Sequence, residues 1–177
     1  LGVKRLVVTE CGHAYDALRW AAYNMVEVPP DLEIQHIVGL LGDYVRTGRI
    51  KLKAGAYDKG TITFHDACKI QRRGGHIEEP REILHILAPH AFKEMTPSRE
   101  EAICCGGGGG VIAIKDADAT RYKVFELKIA QVNKVGADTV AMACSNCRLQ
   151  FTDCVQHFDA KFKVAGLSKL VADALED

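Results

Sequence analysis

Along the chain, short apolar runs alternate with longer stretches in which apolar residues recur every three or four positions. Short runs of β-branched and apolar residues are typical of strands, and the longer period is typical of helices. The pattern predicts strands at residues 3–9, 61–65, 139–143 and 162–165, with a further short strand at 91–95. It predicts helices at residues 13–24, 34–44, 80–88, 116–135, 145–158 and 167–175. Because strands and helices alternate, we expect an α/β fold of Rossmann-like parallel-sheet units with helices on both faces.

The two ends of the chain contain similar segments. When Cys11 is aligned with Cys147, residues 5–18 and 141–154 each consist of an expected strand, a cysteine-containing turn and an expected helix. We therefore expect a pseudo-repeat of two modules that pack as one globular unit and form a fragment of a larger protein. The expected modules are residues 1–50, the C-terminal part of a first, degenerate module, and residues 51–177, a complete second module.

The composition narrows the classes of function. The 177 residues include 23 Lys plus Arg and 23 Asp plus Glu, so there is no basic excess and we expect no nucleic-acid partner. No apolar run approaches the ~20 residues of a membrane-crossing helix, and we expect no direct membrane insertion. The chain has seven cysteines and no visible secretory signal. This favours a cytoplasmic location, where clustered cysteines indicate metal or redox chemistry.

Five of the cysteines follow expected strands or lie in loops: Cys68, Cys104, Cys105, Cys144 and Cys147. The carboxyl ends of parallel strands gather at one edge of a sheet, so three distant segments should bring these thiols together. Structural Zn²⁺ and a cubane [4Fe–4S] cluster each take four ligands, one fewer than this set offers. Neighbouring side chains tend to diverge, so Cys104 and Cys105 suit two irons of one cluster better than a single metal ion.

A run of five glycines, residues 106–110, follows the cysteine pair. Without Cβ atoms, glycines let the backbone approach closely and direct N–H groups inward, and hydrogen bonds from such groups to sulfur tune the potential of a cluster. We expect Gly106, Gly107 and Gly108 to contact the cofactor. A phosphate site is rejected because the run supplies neither the G-x-G-x-x-G spacing nor a following Gly-Lys-Ser/Thr.

Three motifs carry a resemblance to a known family: HDAC ending at Cys68, CCGGGGG starting at Cys104, and CSNC from Cys144 to Cys147. Together they resemble the cysteine-rich CCG domain, whose members include heterodisulfide reductase catalytic subunits and their relative in the membrane complex linked to dissimilatory sulfite reduction. The resemblance implies that the two expected modules are pseudo-repeated CCG modules, of which the first is degenerate. It also implies that five cysteines ligate a noncubane [4Fe–4S] cluster and act in catalysis through it: Cys68, Cys104, Cys105, Cys144 and Cys147.

The same resemblance implies a function. The chain is expected to be an iron–sulfur oxidoreductase subunit that reduces or oxidises a disulfide, a trisulfide or a thiol pair. Its substrate would be a small-molecule or protein disulfide, and its partners would be other redox subunits of a larger complex. Those partners would keep it in the cytoplasm or at the cytoplasmic face of a membrane.

Two alternatives stay open at the level of the residues. The chain could be a non-catalytic module with a structural zinc or Fe–S site used for complex assembly, and an aerobically prepared sample could hold zinc or no metal. It could also be a dithiol switch that uses only Cys144 and Cys147.

Several other residues carry weaker signals. Cys154 and Trp20 are expected in the core, because both fall at helical spacing with apolar neighbours. Cys11 is either a relic of the first module or part of a substrate channel. His65 and Asp66, just before Cys68, either serve substrate sulfur or form a strand-end pair.

Overall fold

The computed structural model describes residues 2–176, and over this range it has the alternating strands and helices that the sequence pattern predicts. The strands are β1 (Arg5–Val8), β2 (Glu33–His36), β3 (Ile62–His65), β4 (Thr139–Met142) and β5 (Lys163–Gly166). The helices are α1 (Gly12–Asp16), α2 (Ile37–Arg46), α3 (Glu79–Leu87), α4 (Asp118–Val135), α5 (Ser145–His157) and α6 (Leu167–Asp173). The predicted α/β class is confirmed.

The strands form two small parallel sheets, one with the order β1–β2 and one with the order β3–β4–β5. Every residue of β3 and three of the four in β4 are buried, which is typical of parallel strands covered on both faces. The strands β3 and β4 end in register, because His65 pairs with Met142. This pairing places the two segments that carry Cys68 and Cys144 side by side at one edge of the sheet.

The main hydrophobic core surrounds β3 and β4. Phe125 of α4 and Phe151 of α5 meet edge to face there, with ring centroids 4.7 Å apart. Each aromatic side chain that is fully buried contributes roughly 2–3 kcal/mol to folding. The contact therefore fixes α4 and α5 against the sheet that carries the cysteines.

The same order of elements occurs twice. A strand, a helix, a strand and a helix follow one another in β1, α1, β2 and α2, and again in β4, α5, β5 and α6. In both halves the second helix starts directly after its strand, at Ile37 and at Leu167. The helix α2 also packs against α3 and α6. The division into two modules at residue 50 stays a prediction.

Two of the predicted elements are wrong. The helix expected at 34–44 begins with the strand β2 and becomes helical only at Ile37, because Ile34 and His36 are buried on one side while β2 pairs with β1. The spacing of the apolar residues there also fits a helix, so the long-range pairing decides. The strand expected at 91–95 is reduced to one bridge between Phe92 and Ile62.

The helix expected at 13–24 is broken into three pieces. The α-helical turns of α1 are followed by a π-helical segment, Ala17–Ala21, and a 3₁₀ turn, Ala22–Asn24. The wider π-helical turn changes which residues face inward. Trp20 is 50% exposed, so its expected place in the core is wrong.

The helix α4 is close to its predicted extent. It begins at Asp118 and ends before Gly136, whose φ of 67° is the left-handed conformation that a helix-ending glycine adopts. Between residues 2 and 176, no helix combines the length and the apolar composition that crossing a membrane requires.

Candidate metal centre

All five predicted ligands line one cavity beyond the ends of β3 and β4. The cysteines concerned are Cys68, Cys104, Cys105, Cys144 and Cys147. Cys104 is exposed and Cys68 is half-buried, whereas the other three are buried. The structure thus brings three distant segments of the chain to one place, with an open side at Cys104 and Cys68.

Local structure positions each of the three segments. Cys68 lies shortly after the end of β3, in a series of turns. Cys144 is the N-cap of α5 with an extended backbone, and Cys147 lies in the first turn of that helix. The pair Cys104 and Cys105 lies in irregular backbone between two short 3₁₀ turns. Because the N-terminal end of a helix carries partial positive charge, α5 favours thiolate at its N-cap, Cys144.

The thiols contact one another in a continuous series. Hydrogen bonds link Cys68 to Cys104, Cys104 to Cys105, and Cys147 to both Cys105 and Cys144. The Sγ atoms of Cys105 and Cys147 are 3.2 Å apart. The five thiols thus form one connected series that lines a single cavity, so a single group could contact all of them.

The pKa values divide the thiols into acceptors and donors. Hydrogen bonds from Cys105 and Cys68 lower the pKa of the Cys104 thiol far below its usual range. A hydrogen bond from Cys147, with others from backbone N–H groups, lowers the pKa of Cys144 to about 5. Since the donating thiols keep their protons, the pKa of Cys105 is raised to about 12, and the pKa values of Cys68 and Cys147 are raised as well. The site therefore favours thiolate, the metal-binding form, at Cys104 and Cys144.

The first two glycines of the run direct their N–H groups at sulfur. Gly106 donates to the Sγ of Cys104 at 3.4 Å, and the N–H of Gly107 reaches Cys105. Gly106 has a φ of 83°, a conformation in which a side chain would be strained. The backbone of this loop thus stabilises negative charge on the cysteine pair.

The same loop lies directly against α5. Gly108 lines the cavity, and its carbonyl oxygen accepts a hydrogen bond from Nδ2 of Asn146 at 3.0 Å. A Cβ atom on Gly107 would lie 3.1 Å from side-chain atoms of both Asn146 and Gln150. A side chain at position 107 would therefore crowd α5 where the cysteine pair approaches the CSNC turn. Cofactor contact by Gly106, Gly107 and Gly108 stays a prediction.

Comparison with known proteins identifies the family. Residues 62–152 match the family model for the CCG cysteine-rich domain. The chain belongs to the CCG family. This match covers the segment from β3 to α5 that brings the five cysteines together, and it confirms the resemblance seen in the three cysteine motifs.

The CCG domain has relatives among redox proteins. One subunit of the dihydromethanophenazine:CoB–CoM heterodisulfide reductase of Methanosarcina acetivorans is 32% identical over 172 residues, which are 96% of this chain and 40% of that protein. The probable iron-sulfur-binding oxidoreductase FadF of Bacillus subtilis is 29% identical over 148 residues, 81% of this chain and 20% of that protein. Iron–sulfur subunit 2 of an Hdr-like menaquinol oxidoreductase of Archaeoglobus fulgidus is 27% identical over 145 residues, 79% of this chain and 26% of that protein. The chain thus spans 40% or less of the length of these three relatives.

Two arginines, the buried Arg81 and the exposed Arg72, brace the loops of this CCG domain. Arg81, 2% exposed, donates two hydrogen bonds of 2.8 Å to the carboxylate of Asp66 and two, of 2.6 and 3.0 Å, to that of Glu94. Arg72 donates to the backbone carbonyls of Glu100 and Ala102 at 2.7 and 2.6 Å. Both arginines tie the HDAC loop to the segment before the cysteine pair. Asp66 is therefore held by arginine and does not face the cavity.

Two further polar side chains lie at the inner side of the site. His65 has no exposed surface, and Lys128 of α4 is 1% exposed. Burial lowers the pKa of Lys128 to about 8, while the nearby cysteines, first among them Cys105, favour its positive charge. Lys128 was not among the residues expected at the site. The available signal was its place on the buried face of α4, in helical spacing with Phe125 and Val132.

The two remaining cysteines do not line the cavity. Cys154 is buried and accepts a hydrogen bond from Nε2 of Gln150 at 3.2 Å, so its expected place in the core is confirmed. Cys11 is the N-cap of α1, and its Sγ accepts the N–H of Ala14 at 3.4 Å. His13, in the next turn of the chain, does line the cavity although no sequence pattern indicated it.

The donor set fits a metal–sulfur group. Five sulfur atoms share one cavity, backbone N–H groups point at three of them, and a buried ammonium lies close by. Structural zinc would use four of these donors and leave one over. The three relatives give no support to the zinc alternative.

Proposed function

We propose that this CCG domain is the iron–sulfur part of a redox subunit and holds its metal–sulfur group with five thiols. The proposed ligands are Cys68, Cys104, Cys105, Cys144 and Cys147. The observation that carries the proposal is that thiols from three distant segments line one cavity. Relatives described as iron–sulfur oxidoreductase and heterodisulfide reductase subunits support it.

The number of thiols favours a noncubane [4Fe–4S] group. A cubane cluster is complete with four cysteine ligands, whereas five require a different arrangement of the irons. Cys104 and Cys105 are adjacent and yet differ in exposure, because one faces the open side and the other the buried thiols. This division suits ligands to different irons of one group.

The residues around the thiols have separate roles. The N–H groups of Gly106 and Gly107 stabilise sulfur that carries negative charge, and the ammonium of Lys128 offsets part of the charge from the buried side. When bound, the metal–sulfur group supplies electrons one at a time. On the open side, Cys68 and Cys104 lie beside His13 and Lys69, and this is the side from which a substrate can approach.

The proposed substrate is a disulfide, a trisulfide or a thiol pair. Cleavage of a disulfide consumes two electrons and two protons and gives two thiols. The chain spans 40% of the heterodisulfide reductase subunit it resembles, so we place it in a larger complex whose other redox subunits supply or accept the electrons. We place that complex in the cytoplasm or at the cytoplasmic face of a membrane.

Electron transfer to a disulfide tests this function. Anaerobically reconstituted protein would be reduced with dithionite, freed of excess reductant and mixed with an aromatic disulfide. We expect the visible absorption of the oxidised form to return as free thiols appear, at two thiols per disulfide consumed. The Cys11→Ser variant is the matched control and should react at the same rate. If iron and sulfide are bound but reoxidation is no faster with disulfide than with buffer, the domain is a non-catalytic assembly module.

A further inference from the structure

One histidine at the inner side of the site is buried without a partner. His65 is the last residue of β3 and has no exposed surface. Within the described part of the chain, neither its Nδ1 nor its Nε2 has a hydrogen-bond partner. Buried polar groups are almost always hydrogen-bonded, because leaving one unpaired is costly. Such a residue calls for a partner that the protein chain itself does not supply.

The position of the ring indicates where that partner lies. A ring nitrogen of His65 and the Sγ atoms of Cys105 and Cys147 all lie within 4.8 Å of one another. Phe151 packs against the ring, with centroids 4.9 Å apart. The imidazole is thus held between an apolar side chain and two of the proposed ligands.

The imidazole ring of His65 has a hydrogen-bond donor for which an acceptor is needed. An imidazole carries at least one N–H in either protonation state, so it always has a hydrogen bond to donate. Asp66, the adjacent carboxylate, is held by Arg81 and accepts nothing from His65. Lys128 does not hydrogen-bond to the ring either. The sulfur atoms of Cys105 and Cys147, within 4.8 Å of a ring nitrogen, are acceptors within reach of the N–H.

We propose that His65 donates one ring N–H to a sulfur atom at the Cys105 and Cys147 end of the metal–sulfur group. This inference rests on the proposed function, since the acceptor belongs to that group. His65 is then a positioning residue and not a ligand. A hydrogen bond to sulfur stabilises the more negative, reduced form and makes the group easier to reduce.

Nitrogen hyperfine spectroscopy of the reduced, paramagnetic protein tests the contact directly. Protein grown with ¹⁵N-labelled histidine should show a weak histidine nitrogen coupling, and no variant is needed for this measurement. The coupling should vanish in His65→Leu and persist in His13→Leu, because His13 lines the open side of the same cavity.

The midpoint potential gives a second readout. We expect His65→Leu to shift the potential to a more negative value and His65→Asn, whose amide N–H can replace the donor, to restore part of the shift. His85→Leu should leave the potential unchanged, because His85 packs against Phe92 and does not line the cavity.

The outcomes separate this inference from the proposed function. Bound iron and sulfide with no histidine coupling, or with a coupling as large as that of a nitrogen bonded to iron, would overturn the hydrogen bond and leave the five-thiol site standing. Absence of iron and sulfide from the reconstituted wild-type protein would overturn both.

Discussion

Two turns of the molecule have nearly the same shape and different chemistry. The first turn, residues 9–12, joins β1 to α1, and the second turn, residues 143–147, joins β4 to α5. Each places a cysteine at the N-cap of its helix, with φ and ψ of −130° and 99° at Cys11 and of −128° and 119° at Cys144. The two strand-to-helix turns thus share the same backbone conformation at their N-cap cysteines.

The partners of the two thiols differ. Cys11 accepts the N–H of Ala14 in its own helix and stays outside the cavity. Cys144 faces the cavity, where Cys147, one turn into α5, donates a hydrogen bond to its sulfur. The shared N-cap position therefore matches Cys11 with Cys144, and not with Cys147 as in the sequence alignment. In this structural match, Ala14 lies at the position of Cys147. The second cysteine of the CxxC pair, more than the turn itself, therefore makes this backbone geometry a proposed metal site.

The first turn nevertheless supports the second. The carbonyl oxygen of Glu10 accepts the N–H of Ser145 at 2.6 Å, and the N–H of Gly12 reaches the sulfur of Cys144. The Glu10 carboxylate accepts hydrogen bonds from Arg148 and from the N–H of Ser168. The first turn, which contributes no proposed ligand, therefore holds the second turn in place.

The largest expected difference between the turns is in metal content. Replacing Cys147 with Ser should remove most of the bound iron and sulfide, because it removes a buried proposed ligand that links Cys105 to Cys144. Replacing Cys11 with Ser should leave iron, sulfide and helix stability unchanged, since serine is a preferred N-cap. Metal and sulfide analysis after anaerobic reconstitution checks the prediction for each variant. Equal losses of iron and sulfide in the two variants would contradict the difference between the turns.

A smaller effect is expected where the glycine loop meets the second turn. Gly107→Ala would bring a Cβ to 3.1 Å from Asn146 and Gln150, so the loop must shift away from α5. We expect a loss of about 1–3 kcal/mol in the free energy of unfolding and weaker iron retention. Gly110→Ala is the matched control, because a Cβ there meets nothing within 4 Å. Urea denaturation of both variants measures the difference, and an unchanged Gly107→Ala would show that the loop does not need this close approach.

The smallest expected effect lies in the contact between the two turns. Glu10→Gln weakens the half-exposed ion pair with Arg148 and should lower the free energy of unfolding by about 1 kcal/mol. Asp31→Asn, which removes the solvent-exposed pair with Lys4, should change it by less than about 0.5 kcal/mol. Thermal denaturation of the two variants compares these contacts. Equal shifts would mean that the first turn does not brace the second.

The sequence correctly predicts the elements that the local pattern of apolar and β-branched residues determines. The β-branched runs of β3 and β4, the long α4 and its end at Gly136 follow from the residues themselves. The strand β2 was missed because Ile34 and His36 are spaced for either a strand or a helix, and only the pairing with β1 selects the strand.

The same limit applies to the site. The five cysteines could be predicted to converge, because the ends of parallel strands meet at one edge of a sheet. The burial of Lys128 and the lack of a partner for His65 depend on how α4, β3 and α5 pack together, which no local pattern encodes. The exposure of Trp20 depends on a π-helical segment that the apolar spacing does not reveal.

The central claim is that five thiols hold one metal–sulfur group, and its most direct test is chemical analysis. Iron, zinc and acid-labile sulfide would be measured in protein purified and reconstituted without oxygen. The proposal predicts about four irons per chain with a matching amount of sulfide, and no zinc. One zinc per chain and no sulfide under the same conditions would contradict it and identify the site as a structural zinc centre.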